Sequence, residues 1–292
     1  MTDTKRESLA MHFCRALGHE RLAWSLRRLH VPVRADALVL EVGSGGNPYP
    51  RSNVLLDGGY AQDRQGVPMV VDRPTVVGVV ERLPFKDRAF DFVIASHVFE
   101  HSSDPASFVA ELQRVARAGY IETPDALMER LYPYQDHRLE VSVRDDVLVV
   151  RKKAAWINDP IISECFAAKA SPGFRASLVP NHPFEFHVRY YWNAQIRLRI
   201  MNPETAIPDD PTSECLPLDG SPSCEARGLR EMLRRACRLA LSQRRRNASI
   251  NLADLLACPI CRRGLEKRAD SYECPACPKR YPVRGAIPVL TP

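Results

Sequence analysis

Between residues 35 and 125 the apolar residues gather into short unbroken runs instead of alternating with polar ones: ALVLEV (37–42), NVLLD (53–57), TVVGVV (75–80), AFDFVIAS (89–96) and GYIETP (119–124). Runs of this length, apolar on both faces, predict strands of a parallel sheet buried on both sides. One segment between them, DPASFVAELQRVARA (104–118), carries its apolar residues at helical spacing. Strands separated by helices or loops in this way predict an α/β fold.

The pattern changes on either side of this region. Residues 5–30 read as one amphipathic helix. LEVSVRDDVLVVRKK (139–153) alternates around Arg-Asp-Asp and predicts an antiparallel hairpin, and FEFHVRYYWNAQIRLRIMNP (184–203) predicts a second, turning near Asn193. Prolines are frequent over 155–225, which predicts a loop and hairpin cover over the ligand-binding edge of the sheet. ARGLREMLRRACRLALSQRRR (226–246) predicts one basic amphipathic helix, with Leu229, Met232, Leu233, Ala236 and Ala240 on one face. The organisation expected is a large unit over 1–225, a basic linker helix over 226–250 and a small unit over 251–292.

Composition adds little to this outline. Of 292 residues 45% are hydrophobic and 26% charged, an ordinary globular balance, and the formal charge of +6 is too mild to imply nucleic acid by itself. The arginines at 227, 230, 234, 235, 238 and 244–246 are candidates for RNA contact, although such charge runs are usually solvated faces. No run of 18 apolar residues predicts a membrane span, and the start of the chain lacks a signal-peptide pattern, so a cytoplasmic protein is expected.

The candidate chemistry is concentrated at two places. At the end of the chain Cys258, Cys261, Cys274 and Cys277 form two Cys-Pro-X-Cys knuckles, the spacing of a tetrahedral site with four thiolates. Zinc is the expected ion, with a single iron as the alternative. Four sulfurs leave no open position, so the role expected is structural. The other five cysteines show no paired spacing and read as free thiols. Near the start, LEVGSGG places Glu41 at the end of a strand and Gly43, Ser44 and Gly45 in the turn that follows. Asp57 ends the next strand, sixteen residues after Glu41. In open α/β sheets this first turn is where nucleotide-like ligands sit, and a carboxylate ending the second strand binds ribose hydroxyls. A side chain at Gly43 is expected to fill space that a ligand needs.

Beyond Asp57 come ERLPFKDRAFDFVIASHVFEH and ELQRVARAGYIETP. With LEVGSGG, these motifs resemble class I S-adenosylmethionine-dependent methyltransferases, especially the group that includes the ubiquinone and menaquinone methyltransferases, over roughly residues 35–125. The resemblance implies a Rossmann-like sheet with helices on both faces and S-adenosylmethionine as cofactor. By the same resemblance Glu41, Gly43, Ser44 and Gly45 would hold the methionine end, Asp57 the ribose, and Ser96 and His97 would lie near the transferred methyl. Two positions depart from the family. Asn47 replaces the third glycine, and Val79 stands where an aspartate often binds the adenine amino group, leaving backbone groups or Glu81 for that task.

Methyl transfer from a sulfonium is an in-line displacement, so the protein chiefly aligns the partners and excludes water. A base is needed only where the nucleophile must lose a proton early. His97 is the best-placed candidate, His137 reaches toward the same mouth, and His101 is expected to orient the loop. Trp156, Tyr190, Tyr191 and Trp192 are either pocket lining or plain sheet packing. Around the cysteines, LADLLACPICRRGL and YPVRGAIPVL resemble the zinc-ribbon activator subunit that partners tRNA, rRNA and release-factor methyltransferases. That resemblance implies a built-in partner docked on the methyltransferase unit, with no separate activator. The acceptor expected is then RNA or a translation protein, or a small molecule, glycan or lipid. A competing reading is a methyltransferase-like scaffold without turnover that recruits RNA or a protein.

Overall fold

The computed structural model describes residues 7–58, 69–131, 134, 136–154, 173, 177–207 and 224–292, the side chains of 224–231 excepted. Trp156 and most of the cover expected over 155–225 lie outside the described residues.

The apolar runs become β1 (Val39–Val42), β2 (Val54–Asp57), β3 (Thr75–Val77), β4 (Phe90–Ser96) and β5 (Ala116–Pro124). All of β1, β2 and β3 is buried, which is why their sequences are apolar on both faces. With β8 (His187–Asn193) they form a six-stranded sheet in the order β3-β2-β1-β4-β5-β8. The first five strands are parallel and β8 is antiparallel to β5. The order reverses between β1 and β4, so a crevice opens at their carboxyl ends. One face is covered by α3 (Pro105–Val115), which buries Phe108, Leu112 and Val115 against Phe90, Val93 and Ile121. The other buries Val39, Tyr49, Phe92, Ile94 and Tyr120 beneath Val31 and Val33.

Four expectations are corrected. Residues 5–30 are not one helix. α1 (Leu9–Ala16) stops at a turn in which Gly18 takes φ +75°, and α2 (Glu20–Leu26) restarts from His19. α3 ends at Val115, not 118, because Ala116–Ala118 enter the ladder with β4, and strand pairing overrides their helical propensity. Residues 184–203 do not form a hairpin. The chain turns at Ala194 (φ +62°), but β8 joins the main sheet while β9 (Leu198–Ile200) pairs parallel with β7 (Val147–Lys152). The hairpin over 139–153 does form, as β6 (Leu139–Arg144) and β7, with Asp145 and Asp146 both left-handed as a two-residue turn requires.

The basic helix is also broken, into α5 (Cys224–Leu241) and α6 (Arg244–Ala248), α4 being Ala126–Leu131. At the break, Asn53 Nδ2 donates to Gln243 Oε1 (3.0 Å) and Asn247 Oδ1 (2.8 Å), which pins α6 beside β2. On α5 Met232 is 70% and Leu233 59% exposed, whereas Arg238 is buried near Asp72 (3.9 Å). The helix therefore meets the body through a charged side chain.

The last forty residues build an antiparallel sheet of β10 (Glu266–Lys267), β11 (Ser271–Glu273), β12 (Arg280–Arg284) and β13 (Ile287–Pro288). They meet the outer edge of the main sheet at two seams. Leu290 N–H donates to the Val77 carbonyl (2.7 Å), and Val289 bridges Val77 in parallel. Lys86 N–H donates to the Leu255 carbonyl (2.9 Å) and Ala257 N–H to that of Pro84 (3.0 Å). Leu256 and Leu290 are fully buried in the same core as Phe85 and Val76. Among the described residues no helix is long and apolar enough to cross a membrane.

Candidate active site and cysteine centre

The turn after β1 is built around two left-handed glycines. Gly43 has φ +66°, and a Cβ there would lie 2.7 Å from both Cβ and Cγ2 of Val98. The space beside Gly43 therefore belongs to Val98 on the neighbouring β4 loop, which corrects the expectation that a ligand fills it. Gly45, at φ +51°, has nothing within 4 Å of its Cβ position, and its N–H donates to Asp57 Oδ2 (2.8 Å). Between them Ser44 is 5% exposed, and its hydroxyl makes no hydrogen bond. Buried hydroxyls are nearly always paired, so an orphan beside an open glycine face marks a place for a polar ligand.

The carboxylates around this turn are already engaged. Glu41 Oε2 accepts from Tyr49 N–H (2.8 Å) and from the Ser52 hydroxyl, so it braces the loop from inside. Burial pushes its carboxyl up to about 7, against the pull of Arg28 and these hydrogen bonds. Asp57 is buried at the end of β2. Glu81, on a 3₁₀ turn after β3, accepts from the Ser102 hydroxyl (2.6 Å). Val79 is partly exposed at the carboxyl end of β3. The Ser44 hydroxyl, the open face of Gly45, Asp57 and Glu81 thus stand at the carboxyl ends of β1, β2 and β3.

The ends of β4 and β5 hold a second group of charges. Glu122 is fully buried on β5. It accepts from Arg27 Nε (2.6 Å) and Nη2 (2.8 Å), from Ser96 Oγ (3.0 Å) and from the Tyr120 hydroxyl. His97, left-handed at φ +55°, donates its backbone N–H to the Glu122 carbonyl (2.7 Å). Its ring lies between two carboxylates, with Nε2 3.3 Å from Glu122 and Nδ1 3.5 Å from Glu100. Burial alone would push the imidazole down, but the two carboxylates outweigh it and hold His97 up to about 9. This favours the imidazolium form of His97 at neutral pH, in which both ring nitrogens are donors. His187 stands edge-on to it, ring centroids 5.5 Å apart, and is pushed down to about 4 by burial and by the charge on His97. Its Nδ1 faces the Pro183 carbonyl at 2.9 Å, which places the proton there and leaves the lone pair on Nε2.

His137 is buried beside His101, ring centroids 4.8 Å apart, with Nδ1 2.6 Å from Glu129. Glu129 is held in turn by Tyr134 N–H (3.1 Å) and Lys153. His101 Nδ1 lies 2.9 Å from the Asp136 carbonyl, so the ring does fix the loop.

The four cysteine sulfurs lie within 4.8 Å of one another, with Cys258 and Cys274 buried and Cys261 and Cys277 half-buried. Cys261 and Cys274 Sγ are 3.3 Å apart, and Cys258 Sγ contacts the Tyr281 hydroxyl at 3.2 Å. In the first knuckle Arg262 adopts φ +61° as its N–H donates to the Cys258 carbonyl (2.8 Å). Four soft donors at this spacing are compatible with a tetrahedral zinc ion.

The aromatic candidates pack the sheet. Tyr190 donates its hydroxyl to the Asp146 carbonyl (3.2 Å), and Trp192 lies over Gly119, where a Cβ would meet its Nε1 at 2.7 Å. A cavity of about 520 Å³ lined by Tyr191 and Trp192 opens near Ala37, Asp91 and Ala118. That is the amino end of β1, β4 and β5, opposite the end where ligands of such sheets bind. Of the basic residues, Arg246 is spent on the carbonyls of Ala35, Asp36 and Ala37, and Arg238 is buried.

Sequence reasoning missed Arg27, Glu100, Glu122 and His187. Glu122 carried a signal, a carboxylate in an otherwise apolar strand. Arg27 carried none, being 95 residues from its partner.

Residues 60–121 match the family model described as a methyltransferase domain. This span runs from before β3 into β5 and leaves the glycine turn outside. No curated protein matches the chain. Solved structures that align with it include one from a complex between the Haloferax volcanii Trm112 methyltransferase activator and a methyltransferase, at 18% identity, 66% of this chain, 98% of that chain and TM-score 0.36. A second is the YcgJ protein of Bacillus subtilis, at 20%, 42%, 70% and 0.29. A third is an S-adenosylmethionine-dependent methyltransferase from Archaeoglobus fulgidus, at 19%, 47%, 69% and 0.30. At these scores the functional reading rests on the chain's own geometry.

Proposed function

We propose that the chain is an S-adenosylmethionine-dependent methyltransferase whose cysteine module is a structural zinc ribbon docked on the catalytic sheet. The observation that carries this is the crescent at the carboxyl ends of β1 and β2: an open left-handed glycine tied to Asp57, beside a buried hydroxyl with no partner. The match of residues 60–121 to a methyltransferase domain supports the same reading.

When bound, the cofactor supplies a methyl on a sulfonium that already carries its leaving group. The chain's residues bind, orient and shield. Ser44 and the Gly45 turn take the methionine end, Asp57 the ribose, and Glu81 the adenine side. His97, held between Glu122 and Glu100, sets a positive charge beside the acceptor, and Trp24 and His187 wall off that side. Trp24 lies 4.8 Å from His187. The ribbon supplies no catalytic group. Its backbone bonds to Val77, Pro84 and Lys86 support the role of a built-in activator.

The acceptor class preferred here is a small molecule or a single exposed side chain, because Arg238 and Arg246 are already committed within the fold. The second reading, a scaffold without turnover, is favoured only by Val79 and by the engagement of Glu81 with Ser102.

Calorimetric titration with S-adenosylmethionine tests the proposal. Binding is expected, and Asp57→Ala should weaken it about ten- to hundredfold, the value of a charge-assisted hydrogen bond of about 1.5–3 kcal/mol. Folded protein that takes up no cofactor would overturn it.

A further inference from the structure

We propose that Glu100, His101 and His137 form a second metal site, for a divalent first-row transition ion, separate from the four cysteines. Each of the three offers one ligand atom, and these atoms lie within 4.8 Å of one another. Metal–ligand bonds of about 2.0–2.1 Å place donors roughly 3–3.5 Å apart, so loading requires a closure of up to about 1.3–1.8 Å.

Glu100 is the independent sign of a ligand. It is 1% exposed, yet neither carboxylate oxygen accepts a hydrogen bond. The cation facing it is the ring of His97, 3.5 Å away and itself shared with Glu122. A buried carboxylate in that position is normally hydrogen-bonded, paired, or coordinating a metal.

The two histidines are prepared as ligands. The Nδ1 of His137 faces Glu129 (2.6 Å) and that of His101 faces the Asp136 carbonyl (2.9 Å). An oxygen acceptor at Nδ1 holds the proton there and leaves the Nε2 lone pair for a metal, which is how ligating histidines are oriented and made more basic. Glu129 is fixed by Lys153 and by Tyr134 N–H, and the Tyr134 ring stacks on His137 at 4.5 Å. The two ligand-bearing segments are locked in register, because Arg138 N–H donates to the Glu100 carbonyl (2.7 Å). Two imidazoles and one carboxylate suit zinc, iron, cobalt or nickel and not magnesium or calcium, which prefer oxygen alone. Three protein ligands leave coordination positions open. The site stands whether or not the chain transfers methyl groups, since its test reads bound metal.

Equilibrium dialysis of the full chain against micromolar zinc under reducing conditions, with metal and protein quantified, is the experiment. Wild type should hold two equivalents, and Cys258→Ser with Cys277→Ser should remove one and keep the other. His101→Ala, which alters a partly exposed side chain, and the isosteric Glu100→Gln should each lose the second equivalent or weaken it at least about tenfold, while magnesium should not load. A wild-type stoichiometry of one overturns the proposal without any variant. A second equivalent that persists undiminished in folded His101→Ala shows adventitious binding elsewhere and overturns it as well.

Discussion

Gly43 is the position at which the packing of the glycine turn can be tested most directly. In Gly43→Ala the new Cβ would approach Cβ and Cγ2 of Val98 to 2.7 Å and Cγ1 to 3.3 Å, on a backbone held at φ +66°. The left-handed conformation costs an L residue about 1–2 kcal/mol. Overpacking in a filled site adds about 1–3 kcal/mol. The stiffer unfolded chain returns about 0.4–1 kcal/mol. The net destabilisation is therefore about 1–4.6 kcal/mol, read from urea unfolding followed by tryptophan fluorescence. The backbone and packing contributions separate in a double-mutant cycle with Val98→Gly, which removes the three atoms nearest the new methyl. The strain at residue 43 is present in both arms and cancels. The coupling energy should equal the overpacking, about 1–3 kcal/mol, in the sense that the second substitution rescues the first. Additivity within about 0.5 kcal/mol would mean that residues 43 and 98 do not touch, and the account of the turn fails.

Glu41 gives a pH prediction. Its folded carboxyl is raised to about 7, so the folded state holds a proton that the unfolded state releases near 4.5, and this stability is lost as pH rises between those values. Relative to wild type, Glu41→Gln should gain about 3 kcal/mol from pH 4 to pH 8, and parallel pH–stability curves would refute the linkage. Cys258→Ser should abolish metal uptake at the cysteine site and lower the melting temperature of the whole chain, which metal analysis beside calorimetry checks. Ending the chain before Asn251 should destabilise the remainder and promote aggregation, because Leu256 and Leu290 each withdraw about 1.5–3 kcal/mol worth of apolar surface against the main sheet. An unchanged melting temperature with a monomeric elution profile would make the tail an independent module.

What the sequence disclosed follows from how local each determinant is. The buried strands were legible because burial on both faces writes itself into consecutive residues, and the cysteine knuckles because their ligands are spaced within one turn. The end of α3 was not, since Ala116–Ala118 favour a helix and only the ladder with β4 extends them. FEFHVRYYWNAQIRLRI reads as a hairpin locally, yet its halves find partners in β5 and β7, which lie far away in the chain. The glycines of the turn were visible, but Val98, which makes Gly43 necessary, lies 55 positions on and looks like any apolar residue. His101 and His137 were each visible, but their approach to one another is made by the fold, and Arg27 gave no hint of Glu122.

The seam at Val77 and Leu290 also closes the outer edge of the main sheet. β3 is the terminal strand of that sheet, and its Val77 carbonyl accepts from Leu290 N–H while Val289 bridges it in parallel. An uncovered strand edge is a template for pairing with another chain. Val289 and Leu290 thus stand where an edge-to-edge contact would otherwise form, and protein in which this seam opens is expected to associate through β3.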